Sequence, residues 1–262
     1  MKFRFQRKYF SIPYVIFLSL FVLIPILLIV FYAFTDANGQ FSVTSAGKFF
    51  SDVSNLNVIL VSFFLAVQTT IICLLIGYPL AYFLANKKYN KNAVLIMLFI
   101  MPMWINFVLR TTATRDILFA IGINGGSFPY LATSIGMVYN YLPFVILPLY
   151  TTMLKLDKSQ IEAASDLGAN PFQVFVHSIF PQSLPGVVSA ITMTLVPVMS
   201  SYVISDALSE GNIVLIGNFI YINFVNSLWN NGSFIAFILL ILVIASMFLT
   251  KSKAEESRGN LW

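Results

Sequence analysis

The sequence predicts an all-α integral membrane protein with six transmembrane helices and both termini in the cytoplasm. Three observations carry this. First, 58% of the 262 residues are hydrophobic and only 10% are charged, with a mean hydropathy of +0.86. Soluble domains run nearer ~25% charged, so this composition excludes an ordinary soluble enzyme, a coiled coil and a disordered chain. Second, six segments approach or exceed the ~20 apolar residues that a helix needs to cross the hydrocarbon core. Third, the Lys and Arg residues cluster in alternate connections. Cys73 and His177 are single in the chain. One cysteine forms no internal disulfide, and a Cys/His metal cluster has no ligands here.

Residues 1–10 precede the first span. Their alternating Lys2-Phe3-Arg4-Phe5 suits a segment lying in the interface, rings in the lipid boundary and cations on the headgroups; a plain basic tail is the other reading. The first span is Ser11 to Phe34. Pro13 and Pro25, the length of the run and the lack of a small-x-small site argue against a cleavable signal. The second is Asn57 to Ala85, overlong and polar at Gln68. The third is Asn92 to about Leu109, the fourth about Leu131 to Leu154, the fifth about Leu184 to Ile204 and the sixth Ser233 to Thr250. The stretch Ile213 to Leu228 is broken by Gly217, Asn218, Asn223 and Asn226 and reads as a short extracellular or re-entrant helix. One membrane domain, 11–250, therefore carries a loop at 155–183 and a tail at 251–262.

Lys2, Arg4, Arg7, Lys8, Lys87, Lys88, Lys91, Lys155, Lys158, Lys251, Lys253 and Arg258 all fall on one side of this arrangement, 12 of the 15 basic residues. That side is the cytoplasm. Lys48, Arg110 and Arg115 belong to the membrane or the outer face. The positive balance is thus a topology signal and gives no support to nucleic-acid binding.

The loop 155–183 is the most informative stretch. Asp157 with Gln160 three positions on resembles a capping box. A short helix through Ile161, Glu162, Ala163, Ala164 and Leu167 should follow, with Gly168 just past its end. Asn170 then caps a second helix with Pro171 in its first turn, Phe172 to Phe180, which stops at Pro181. Ala163 and Ala164 let another surface approach the backbone closely. Glu162 and Asp166 lie four apart on one face, and Leu167 offers an apolar anchor. These features suit a helix laid into a partner's groove; a surface helix that merely links two spans is the alternative.

Glu162-Ala163-Ala164, three residues, then Gly168, with Pro181 beyond, resembles the EAA loop of ABC-importer permeases. Ser178 and Phe180 stand where that pattern usually has Ile and Leu. The resemblance implies the type I importer (MetI-like) permease fold. It also implies that Glu162, Ala163, Ala164, Asp166, Leu167 and Gly168 dock on a cytoplasmic ATP-hydrolysing subunit. No phosphate-binding G-x-x-x-x-G-K-[ST] occurs in the chain, so no cofactor is expected in it; ATP and Mg would be bound by the partner ATPase.

Met101 to Thr111, Tyr141 to Tyr150, and Val203-Ile204-Ser205-Asp206 with Leu215 to Asn218 look like the corresponding stretches of polyamine permeases, the B-type subunit of spermidine/putrescine importers. Thr112 and Thr114-Arg115-Asp116 depart from that pattern. The resemblance implies a multi-pass protein of the cell (inner) membrane. Its partners would be a second homologous permease, two copies of the ATP-binding subunit and an external substrate-binding protein.

A polyamine path needs carboxylates and aromatic faces. Asp206, at the end of span five, is the first candidate for substrate contact. Glu210 is the second and shares its face if the helix continues. Tyr202, Trp104 and Tyr221 are aromatic candidates. Two alternatives stand beside these roles: Asp206 as a helix-end residue paired with Arg110 or Arg115, and the aromatics as interfacial belt residues. Arg110 reads as a gate or structural residue, paired with Asp206 or Asp116. His177 reads as a packing or interface residue rather than a catalytic base, and Cys73 as a small apolar one. Competing cargoes are an oxyanion, a sugar or an iron complex. A membrane-embedded enzyme is remote, since the spans lack H-E-x-x-H and paired carboxylates.

Overall fold

The computed structural model describes residues 11–36, 38–86 and 94–259. The basic residues at 2–8 and 87–91 lie outside them, as does the interfacial segment expected at 1–10. Among the described residues the structure is helical, with one isolated bridge between Thr35 and Phe41. Among the described residues five helices are long and apolar enough to cross a membrane, and one bent pair, Val94–Trp104 with Phe107–Ala120, meets the same length and composition when taken together, for up to six.

In chain order, α1 (Ser11–Leu18), a π-helical turn (Ser19–Leu23) and α2 (Ile24–Ala33) form the first span. Next come α3 (Thr44–Ser51) and α4 (Val53–Ala85). Then α5 (Val94–Ile100) leads through a 3-10 turn (Met101–Trp104) to α6 (Phe107–Ala120) and α7 (Pro129–Met153). The loop region holds α8 (Lys158–Asp166), α9 (Pro171–Val174) and a second π-helical turn (Phe175–Ile179). It runs on into α10 (Phe180–Ser200), α11 (Val203–Ser209), α12 (Ile216–Val225) and α13 (Trp229–Gly259).

Three boundaries differ from expectation. The third span does not run on to Leu109. It bends by 98° between Trp104 and Phe107, because Asn106 caps a new helix by accepting from the N–H groups of Val108 and Leu109 at 2.9 and 3.3 Å. The helix after Asn170 does not stop at Pro181; it continues as one 30-residue span, Pro171–Ser200. Proline lacks the N–H for the carbonyl four residues back and its ring crowds that carbonyl. The π turn at Phe175–Ile179 widens the helix just before Pro181, as the turn at Ser19–Leu23 does before Pro25. The fifth span ends at Ser200, and a break at Ser201–Tyr202 sets α11 apart.

Contacts divide the chain into two units, Met1–Asn57 with Phe219–Ile241, and Val58–Asn218 with Leu242–Trp262. In the first unit, Asn230 donates to the carbonyls of Tyr32 and Thr35 at 3.1 and 2.7 Å. The Phe34 ring packs edge-on to Phe234 and Phe237, and Phe49 of α3 also meets Phe234. These contacts fasten the connection after the first span to the start of α13.

In the second unit, α7 is the most enclosed span. Lipid tails give helices no hydrophobic reason to associate, so close approach depends on small residues and on hydrogen bonds between helices. The sequence supplies both. The buried face of α4 reads Ala66, Thr69, Thr70, Cys73, Gly77 and Ala81. Cys73 donates weakly to the carbonyl of Val138 at 3.7 Å, and Gln68 reaches Ser134 at 3.5 Å. On the other side of α7, Tyr141 donates to the carbonyl of Pro197 in α10 at 3.2 Å.

Candidate functional site

The elbow in the 155–183 loop is built from local chemistry. Asp157 caps α8, accepting from the N–H and hydroxyl of Ser159 at 2.9 and 2.7 Å. These bonds hold its carboxyl below the usual carboxylate range. The reciprocal capping box forms at the next helix instead, where Asn170 and Gln173 exchange two bonds of 2.9 Å.

Between the two helices, Gly168 adopts φ +83°. Its N–H bonds to Ser165 and that of Ala169 to Ala164, closing the Schellman turn. Gly168→Ala is expected to cost ~1 kcal/mol from the left-handed backbone, read as a lower melting temperature of the purified protein.

The elbow presents Glu162, Ala163, Asp166 and Leu167 to the outside, while Ile161 and Ala164 are half-buried. Leu167 is 89% exposed and Phe172, across the turn, 75%. Phe172 was not singled out by the sequence, because its exposure depends on how the turn sets the second helix. A cavity of about 260 Å³ behind α8 is lined by Tyr82, Met153, Lys158, Ile161 and Glu162 among others.

The second region lies where two spans break. Non-helical backbone at membrane depth survives only where protein covers it or water reaches it. The bend after Trp104 and the break at Ser201–Tyr202 are held at neighbouring residues of α7. Arg110 Nε donates to Asn140 Oδ1 at 2.7 Å, and Arg110 Nη1 to the carbonyl of Pro102 at 2.8 Å. Tyr141 holds Pro197, just before the other break. Asn140 is the twelfth residue of the 25-residue α7, ~16 Å along it at 1.5 Å per residue, near the middle of a ~30 Å core.

Arg110 therefore does not pair with Asp206 or Asp116. It is buried, its guanidinium 6.0 Å from the ring centres of Phe107 and Tyr139, while Asp116 pairs with Arg115 at 3.1 Å. Asn140 had no sequence signal; its role arises only from the bend.

Asp206 lies on α11, and Tyr202 and Glu210 flank the two ends of that helix; Tyr202 and Asp206 are joined through the backbone, Asp206 N–H to Tyr202 carbonyl at 2.9 Å. Asp206 is exposed and takes part in no ion pair among the described residues. Glu210 does not share its face, because the helix ends at Ser209 and Glu210 turns left-handed at φ 52°. The loop before α7 lies under that end: a Cβ on Gly125 would stand 2.5 Å from the Leu208 carbonyl oxygen, so only glycine fits. Trp104 is 86% exposed at the end of its 3-10 turn. Tyr221 is exposed on α12, in the other unit.

No family profile matches the chain. Relatives do. The spermidine/putrescine transport system permease protein PotB of Haemophilus influenzae is 33% identical over 254 residues, covering 88% of this chain and 88% of the relative. The protein of that name from Escherichia coli is 32% identical over 259 residues, covering 91% and 94%. A PotB homolog of Mycoplasma genitalium is 28% identical, covering 87% and 82%. Among solved structures, a chain of the inward-facing MetNI methionine ABC transporter superposes with a TM-score of 0.58 at 18% identity, covering 77% of this chain and 95% of that one. A chain of a bacterial ABC transporter involved in alginate import gives 0.65 at 16% identity, covering 95% and 98%. These identities bear on fold alone, and the fold is that of a type I ABC importer permease.

Proposed function

The chain belongs to the PotB family of membrane permeases, and from that premise we propose that it forms half of the translocation path of an ATP-driven polyamine importer and is driven through α8. A second homologous permease would supply the other half. Two ATP-binding subunits would dock on the elbows, and an external binding protein would deliver the substrate. ATP and Mg would be held by the ATPase subunits. The observation that carries the reading is the elbow itself: a rigidly capped turn that presents Leu167 and Phe172, both almost bare. A large apolar side chain held out from a rigid turn suits a partner's groove.

For the cargo, Asp206 offers an exposed carboxylate on α11, past the break of the fifth span. An ammonium group stripped of water needs such a partner. Tyr202 precedes it by one turn, and Trp104 offers an exposed aromatic face for cation–π contact. Arg110 is a specific observation in favour of an anionic cargo. Against it, Asn140 and the Pro102 carbonyl already engage the guanidinium.

Uptake of labelled spermidine in cells lacking this gene tests the reading. The native chain is expected to restore uptake, and Glu162→Ala to restore little of it at equal membrane expression. Asp206→Asn is expected to cut uptake roughly tenfold, the worth of one charge-assisted hydrogen bond. Unchanged uptake after deletion, with no second importer present, removes polyamine as the cargo and leaves an importer of another small solute.

A further inference from the structure

We propose that Tyr78 and Ser183 form the joint that carries movement of the cytoplasmic elbow into α4, the second span; this rests on the docking role given above to α8. Ser183 is fully buried. It donates its hydroxyl hydrogen to the Phe180 carbonyl at 2.8 Å, which leaves its oxygen to accept from the Tyr78 hydroxyl at 2.6 Å. The rings of Tyr78, Phe175 and Phe180 form a triangular cluster, with Phe175 and Phe180 centred 5.7 and 6.1 Å from Tyr78 and 6.3 Å from each other. The Tyr78 ring that carries the bond is thus packed against the elbow side.

On the elbow side, the neighbouring residue Gln182 accepts the Asp157 backbone N–H at 2.8 Å. The N-cap of α8 is therefore tied one residue from Ser183. The other arm of the elbow reaches the same place through α9 and the π turn.

The bond grips each helix where its ladder is weak. Pro79 follows Tyr78 inside α4, so the carbonyl of Leu75 loses its helical donor. Ser183 lies between Pro181 and Pro185 of α10. Helices bend at such places. A hydrogen bond in the middle of two rigid helices would only pack them. Placed at two proline hinges and tied to the elbow, it converts a tilt of α8 into a bend of α4.

The test uses the whole importer complex in proteoliposomes. The single cysteine of this chain, Cys73, is buried, so Leu60→Cys supplies its one accessible thiol, and it is labelled in a complex whose other subunits are cysteine-free variants. Leu60 is 65% exposed and lies ~27 Å along α4 from Tyr78 at 1.5 Å per residue. The readouts are ATP hydrolysis and the fluorescence change on trapping with ATP and orthovanadate.

In the native background the label is expected to respond. Tyr78→Phe and Ser183→Ala are each expected to cut the response per ATP hydrolysed roughly fivefold, the worth of one hydrogen bond, with ATP hydrolysis retained. The double variant should do no worse than either single. No response in the native complex, a response and hydrolysis that fall in proportion, an unchanged response, or additive losses would each overturn the joint. Both readouts are taken without added cargo. If the label responds as expected but the native complex moves no spermidine, the polyamine assignment fails and the joint stands.

Discussion

Leu167→Asp is expected to strip the ATP-binding subunits from the complex while leaving this chain folded. The side chain is 89% exposed and contributes almost nothing to the fold, so its loss has no cavity to open. In a partner's groove, burying a leucine is worth ~1.5–3 kcal/mol, about ten- to a hundredfold in affinity. An aspartate there also buries an unpaired charge. Tandem purification reads the ratio of ATPase to permease, and it should fall by roughly a hundredfold or more. Leu167→Met, which keeps an apolar side chain of similar volume, should retain the ratio. Equal recovery of ATPase with Leu167→Asp and with the native chain would sink the docking role. A lower melting temperature for the isolated Asp variant would show that Leu167 supports the fold instead.

Asn140→Leu is expected to destabilise the protein by ~2–4 kcal/mol, and adding Arg110→Met to recover most of that loss. The asymmetry follows from the geometry. Arg110 is buried and donates Nε–H to Asn140 at 2.7 Å. Removing the acceptor alone strands part of a buried cation, whereas removing both partners leaves an apolar contact. Denaturant unfolding in detergent with the two single variants and the double gives the coupling energy directly. Additive losses would show that the pair does not hold the bend of the third span.

Much of this molecule is legible in its residues, for identifiable reasons. The fourth span keeps its expected bounds within two residues at its N-terminal end, because a long apolar run has only one way to satisfy its backbone in lipid. The Gly168–Asn170 turn follows from residue types that favour one backbone geometry each: a glycine for the left-handed turn, an asparagine for the cap, a proline for the first helical position. Proline was the misleading signal. Pro181 reads as a stop, yet a π turn lets the helix pass.

The sequence by itself determined the membrane class and the elbow, and it set the expected number and orientation of the spans. All of these rest on local preference, on apolar length or on the placement of charge in short loops. Only the tertiary structure decided what the polar residues inside the bundle do. Arg110 bonds to a residue 30 positions away and Tyr78 to one 105 away. Neither partner is implied by spacing. At membrane depth a polar group must find whatever acceptor the packed helices place within reach, and that choice is made by the bends and crossings of the spans.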